Sequence, residues 1–202
     1  MKNGERTMQL EEFLAQYDRE GMVVLLEGKR EVAEQDREKL IALGRLLTEK
    51  TVYTLFRSGN APGADELFSE GVSSVDARRL QVITPYKSHR KKANKAYSTY
   101  SLDEMDLVSE PEVIYQSKAN KKNVKLIDAY VAGDKNTLSV KAAYLIRDTV
   151  KVLGTRTLPG ASFGIFYDDL ENPLQGGTGH TIQVCRENNI EAIDQREWFS
   201  WI

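Results

Sequence analysis

Two glycine-rich segments hold most of the chemistry that this sequence offers. The first, Arg57-Ser58-Gly59-Asn60-Ala61-Pro62-Gly63-Ala64-Asp65, follows one apolar run, and the second, Gly176-Gly177-Thr178-Gly179-His180-Thr181, follows another. Each leads into residues with a helical pattern. Glycine lets a backbone come close to a phosphate, and a helix starting there adds unpaired N–H groups and the positive end of its dipole. In the second segment the amides of Gly177 to Gly179 and the hydroxyls of Thr178 and Thr181 are the expected phosphate donors. In the first, Arg57 would add a charge-assisted hydrogen bond, and Asp65 would cap a helix or accept a sugar hydroxyl. Neither segment reads G-x-x-x-x-G-K-[ST], and neither reads G-x-G-x-x-G with a downstream acid. Those absences argue against a P-loop NTPase and an ordinary NAD-dependent dehydrogenase.

The remaining reactive residue types are sparse. Cys185 is the single cysteine, which excludes an internal disulfide and multi-cysteine metal sites, and it falls on the inward side of a helix as a small buried residue. His89 and His180 are far apart, so no metal cluster is expected and no cofactor is required. His180 reads as a hydrogen-bonded structural histidine, or else a phosphate ligand, because no Ser or Cys nucleophile pattern accompanies it. Asp168, Asp169 and Glu171 read as solvated or helix-capping acids. Residues 87 to 95 hold five Lys or Arg and no acid, with Tyr86, Tyr97 and Tyr100 nearby. Such a run is usually a solvated face. Lying after a strand, it could instead fold over the ligand edge, where cations meet phosphates and a tyrosine stacks on a base.

The elements that would position these residues follow from periodicity. Leu10, Phe13, Leu14 and Tyr17 mark a short amphipathic helix, expected as an add-on within residues 1–20. Met22 to Leu26 is a doubly buried strand that exits through Glu27-Gly28-Lys29-Arg30. Val32 to Lys50 is a crossover helix, Val52 to Phe56 a second strand, and Leu80 to Ile83 a third. A loop-rich basic insertion is expected over residues 86–135. Leu138 to Leu153 reads as a helix, Ser162 to Tyr167 as a strand, Thr181 to Glu187 as a helix and Ile190 to Ile193 as a last strand. The alternation predicts an α/β fold, a Rossmann-like three-layer α/β/α domain with a mostly parallel sheet.

With 202 residues, 41% hydrophobic and 29% charged, the chain can bury one full core as a single domain. No stretch approaches the roughly 20 apolar residues of a membrane span, and the start lacks an apolar signal region, so no membrane partner and a cytoplasmic location are expected. A net charge of −2 disfavours nucleic acid as the partner.

Taken together, Gly28-Lys29-Arg30 at a strand end, Gly59 to Asp65, Arg147-Asp148 and Gly176 to Thr181 resemble the SLOG superfamily over roughly residues 22 to 195. That superfamily groups LOG-type, molybdenum-cofactor-carrier-like, DprA/Smf and YspA- and YpsA-like proteins. Asn60 replaces the second glycine of its first loop, a position Asn can hold in the left-handed region. The resemblance implies nucleotide binding through Gly28, Arg30, Arg57, Ser58, Gly59, Asn60, Gly63, Asp65, Arg147 and the whole of Gly176 to Thr181. It suggests sensing or sequestering a nucleotide signal such as an ADP-ribose derivative. LOG enzymes cleave the base from nucleoside monophosphates with a glutamate whose position falls on Gln183, so catalysis is doubtful and a LOG-like N-glycosidase is the enzyme alternative. Single-stranded DNA binding of the DprA kind is the other alternative. The apolar Trp198 to Ile202 end, with the dimers common in resembling proteins, suggests a homo-oligomer.

Overall fold

The apolar run after Met22 becomes the central strand of a parallel sheet in the computed structural model, which describes residues 7–133 and 137–202. Residues 1–6 of the expected add-on and 134–135 of the expected insertion lie outside the described residues. The strands are β1 (Val23–Gly28), β2 (Leu55–Ser58), β3 (Leu80–Thr84), β4 (Ser98–Ser101), β5 (Phe163–Tyr167) and β6 (Ala192–Asp194). They run in the order β4-β3-β2-β1-β5-β6, every neighbouring pair parallel. The helices are α1 (Leu10–Tyr17), α2 (Arg37–Lys50), α3 (Ala64–Asp76), α4 (Pro111–Ser117), α5 (Val124–Val131), α6 (Thr137–Leu153), α7 (Gly176–Glu187) and α8 (Gln195–Trp198). The result is the expected three-layer Rossmann-like α/β architecture.

Strand alternation sorts the helices between the two faces. Val24 and Leu26 of β1 point into a core shared with Leu43 and Leu47 of α2 and with Leu67 and Phe68 of α3. Leu25, between them, points the other way, toward Val152 of α6 and Ile182 and Cys185 of α7. Helices α4 and α5 pack on α6 over the outer part of that second face.

Three expectations change here. Helix α1 is no add-on: Phe13 is fully buried, its ring centroid 5.3 Å from those of both Phe163 and Trp201. Asp18, at its end, accepts the backbone N–H groups of Val52 and Tyr53 at 2.9 and 2.8 Å. That cap holds residues 52–54 as a turn, and β2 therefore starts at Leu55 and runs on through Arg57 and Ser58. The apolar C-terminal end is likewise consumed within the chain. Trp198 is fully buried and its indole donates to Phe166 O at 2.9 Å, while the Trp201 indole donates to Met8 O at 3.1 Å. The apolar end therefore no longer argues for an oligomer.

Candidate functional site

The strand order reverses at β1. The chain steps outward from β1 through β2, β3 and β4, then returns to lay β5 on the other side of β1. Helix α2 leaves β1 on one face and α7 leaves β5 on the other, so the carboxyl ends of these adjacent strands diverge and leave a crevice. A cavity of about 900 Å³ fills it. That is ample for a nucleotide-sized ligand. Its walls are the turn after β1, the inward side of α6, and the turn after β5 with the start of α7.

Gly176 to Thr181 forms the first turns of α7, not the expected loop. Glycine lowers helix propensity, but packing against α6 overrides it. The Gly179 N–H already donates to Gln175 O at 3.0 Å, and Gln175 provides no side-chain cap. The unpaired helix-start amides are therefore those of Gly176, Gly177 and Thr178, one residue earlier than expected. Thr181 is buried with its hydroxyl donating to Gly177 O at 3.0 Å, which keeps it out of the cleft. His180 borders the cleft with Nε2 held 3.1 Å from Thr149 Oγ1. Burial holds its pKa below the ordinary histidine value even with Asp148 nearby.

The first glycine segment is built differently. Asp65 Oδ1 accepts the N–H of Gly28 at 3.1 Å, and Oδ2 accepts those of Gly59 at 3.1 Å and Ala61 at 3.2 Å. The Ala64 N–H donates to Lys29 O at 3.1 Å. A Cβ on Gly63, whose φ is +86°, would lie 2.0 Å from Arg30 O. These contacts clamp the segment shut against the β1 turn. Asn60 does take the left-handed conformation, with φ of 55°, and packs beneath the 86–95 segment. Of this segment only Ala61 and Asp65 border the cavity.

Arg57, expected at the ligand edge, is fully buried beneath the sheet. Its Nε and Nη2 reach Gln81 Oε1 at 3.2 and 2.9 Å and its Nη1 reaches Lys151 O at 2.9 Å. Burial pulls its pKa down to about 10. As a residue of β2 it projects from the sheet face, whereas ligands meet the strand ends. Ser58 is buried too, and Gly59 accepts Arg147 Nη1 at 2.6 Å through its carbonyl. The structure thus gathers Gly28, Arg30, Asp65, Arg147 and Gly176 to His180 at one cleft and leaves Arg57, Ser58, Gly59, Asn60, Gly63 and Thr181 outside its lining.

The closed end of the cleft carries charges of which the sequence pattern picked out only the Arg147-Asp148 pair. Glu27, Asp148 and Lys151 are each at most 3% exposed. Lys151 Nζ pairs with Glu27 Oε2 and, at 2.8 Å, with Asp148 Oδ1, which also meets Arg147 Nη2 at 2.7 Å. Burial pushes the Glu27 pKa up to about 7; Lys151 opposes that rise, while Asp65 and Asp148 add to it. Burial would raise Asp148 as well, but Arg147 and Lys151 hold it below the ordinary carboxylate value. Among the described residues, Glu27 Oε1 and Arg147 Nε are buried without hydrogen-bond partners. Glu27 could have been noticed as an acid closing an apolar strand at a candidate ligand edge, but its ion-pair partner lies 124 residues away.

Two of the acids before α7 hold the loop, Asp168 Oδ2 accepting Leu174 N–H at 3.1 Å and Asp169 Oδ1 accepting Glu171 N–H at 3.1 Å. The basic segment lies over the first glycine segment and away from the cleft. There Arg90 meets Asn60 O at 3.0 Å and Glu66 Oε2 at 2.7 Å, and Lys87 and Lys95 pair with Glu104 and Glu70. Cys185 is buried, and burial pushes its thiol up to about 12. No group of three or more His, Cys, Asp or Glu suited to a metal ion is found among the described residues, and none of their helices is long and apolar enough to cross a membrane.

The fold and the cleft together define a Rossmann-like α/β domain with a crevice at its switch point. No family model matches the chain, and no curated protein matches it. One solved structure, the DNA processing protein A of Helicobacter pylori, described by its single-stranded DNA binding mode, is similar with a TM-score of 0.52 and 12% identity. The likeness covers 87% of this chain, which spans 65% of that one. At this identity the likeness is one of fold: a DNA processing protein A-like Rossmannoid.

Proposed function

We propose that the protein binds a nucleotide or nucleotide derivative in the β1–β5 cleft, with a phosphate on the first turn of α7. The observation that carries this is the opening of three unpaired helix-start amides, at Gly176, Gly177 and Thr178, onto a cleft that also holds buried, unpartnered polar atoms. Lys29, Arg30 and Lys141 line the same cleft and add positive charge. Gln183 lines it where LOG enzymes carry their glutamate and supplies no carboxylate, Asp168 and Asp169 are engaged with loop amides, and the remaining buried acid, Glu27, is ion-paired with Lys151. Binding without turnover, as in a sensor or sequestering protein for a signal such as an ADP-ribose derivative, therefore suits the site better than LOG-like hydrolysis. Native mass spectrometry of the freshly purified protein tests for a retained nucleotide. In calorimetric titration with AMP and ADP-ribose, Gly177→Val should weaken binding at least ten-fold in a protein that still folds, its Cβ meeting only Asp148 Oδ2, at 3.1 Å. Unchanged affinity in the folded variant would refute the phosphate seat.

A second reading is single-stranded DNA binding, favoured by the solved neighbour and by Lys91, Lys92, Tyr97 and Tyr100 exposed at and beside the β4 edge. A gel-shift series over salt separates the two, since DNA retention must fall steeply with ionic strength.

A further inference from the structure

We propose that the closed end of the cleft is a ribose subsite, in which Glu27 Oε1 and Arg147 Nε take the vicinal hydroxyls of a ribonucleotide whose phosphate rests on α7. This rests on the nucleotide reading and specifies it: the ligand class is ribose 5′-phosphates rather than their deoxy counterparts.

The argument starts from the unpartnered polar atoms. A buried polar atom with no partner keeps its full desolvation cost, and native proteins leave few of them. Three occur in residues that border one cavity, Glu27 Oε1, Arg147 Nε and Asp148 Oδ1; the last stands in ion-pair contact with Arg147 and Lys151, which leaves Glu27, at 3% exposure, and Arg147, at 5%, each with one atom lacking any partner. Their other polar atoms are engaged: Glu27 Oε2 by Lys151, Arg147 Nη1 by Gly59 O and Arg147 Nη2 by Asp148. What is left over is one carboxyl oxygen and one N–H donor, and a hydroxyl group satisfies both kinds.

Charge then disfavours the phosphate of a nucleotide at this end. Glu27, Asp65 and Asp148 stand there against Arg147 and Lys151, so the pocket end carries no excess of positive charge and repels a phosphate. A neutral hydroxyl meets no such penalty. The phosphate seat is nevertheless close by, because a Cβ on Gly177 would lie 3.1 Å from Asp148 Oδ2, the carboxylate that bridges Arg147 and Lys151. One sugar ring, bearing hydroxyls on one side and a 5′-phosphate on the other, matches that juxtaposition of hydroxyl partners and free amides. The base is then left toward the cleft wall formed by Tyr144.

The test is calorimetric titration of the full chain with AMP, 2′-deoxy-AMP, 3′-deoxy-AMP and inorganic phosphate. AMP should bind about ten-fold more tightly than either deoxy analogue, and in Glu27→Leu, checked for folding by circular dichroism, the ratio should collapse to about one. If phosphate binds but AMP and both deoxy analogues bind alike, the ribose subsite is refuted and the nucleotide cleft stands. If inorganic phosphate and all three nucleotides fail to bind, both fall together. The wild-type comparison decides the question even if Glu27→Leu does not fold.

Discussion

The two glycine-rich segments look equivalent in sequence and do opposite things in the fold. Between Gly59 and Asp65 the polar groups are turned inward: Asp65 takes three backbone amides, Arg147 takes a carbonyl, and Gly63 admits the Arg30 backbone. At Gly176 and Gly177 the amides open outward, and an added Cβ would meet nothing within 4 Å at Gly176 and only Asp148 at Gly177. A glycine after a strand therefore signals close approach of something. Whether that something is the protein's own backbone or a ligand depends on residues far away in sequence.

The sharpest way to break this contrast is to fill each glycine in turn. Gly63→Val combines a left-handed backbone with a Cβ 2.0 Å from Arg30 O and should cost more than about 3 kcal/mol in urea denaturation. Gly177→Val, whose Cβ would meet only Asp148 Oδ2 at 3.1 Å, should cost less stability than Gly63→Val and act mainly on ligand affinity. Equal losses in the two variants would make both segments structural turns.

The same contrast explains what could be read in advance. Strands β1, β3 and β5 are built on apolar runs, that of β3 broken only by Gln81, and their limits fall within two residues of the sequence reading. Strand β4 was missed because Ser-Thr-Tyr-Ser at a sheet edge carries no apolar run and only one buried residue. The start of α7 was misplaced because three glycines argue against helix in any local scale. Glu27 reads locally as the solvent exit of a strand, and Asp148 with Lys151 as an ordinary i,i+3 surface pair. Only the layering of α6 on β1 makes them one buried cluster.

That cluster yields the next effect in size. Glu27 has its pKa raised from 4.5 to about 7, so the folded state binds more protons than the unfolded state across that window. Stability from this group is complete below about 4.5 and is lost as pH rises through about 7. The groups that couple to it are Asp65 of α3, Arg147, Asp148 and Lys151 of α6, Arg57 of β2 and Cys185 of α7. Glu27→Gln cannot titrate, so the wild type should lose on the order of 2–3 kcal/mol relative to it between pH 4.5 and 8. Parallel stability profiles for the two would show that Glu27 is ionised throughout.

A smaller effect is expected at the mouth of the open site. Arg30 is exposed and borders the cleft beside Gly28, so its pull on a phosphate is screened by solvent. Arg30→Ala should weaken AMP binding by about five-fold, near 1 kcal/mol, and the loss should shrink at high salt. Arg57→Ala should instead lower stability, because it strips Gln81 and the Lys151 carbonyl of a buried partner. A large affinity loss for Arg57→Ala in a protein of unchanged stability would reverse the assignment of the two arginines.

The smallest expected effect comes from the basic segment over the closed loop. Arg90, Lys87 and Lys95 are committed to acids on neighbouring elements, which leaves Lys91 and Lys92 as the cations available to a ligand there. Neither borders the β1–β5 cleft. The double substitution Lys91→Ala, Lys92→Ala should therefore change stability by no more than about 0.5 kcal/mol and leave AMP affinity where it was. Its influence should appear only with single-stranded DNA, where removing two phosphate contacts lowers the slope of log affinity against log salt by roughly 1.4. If the double variant loses AMP binding, the segment must close over the cleft when ligand is present, and the division between a closed and an open glycine region would describe only the unliganded protein. If it loses DNA retention alone, the two surfaces act independently, and the cleft and the β4 edge serve different ligands.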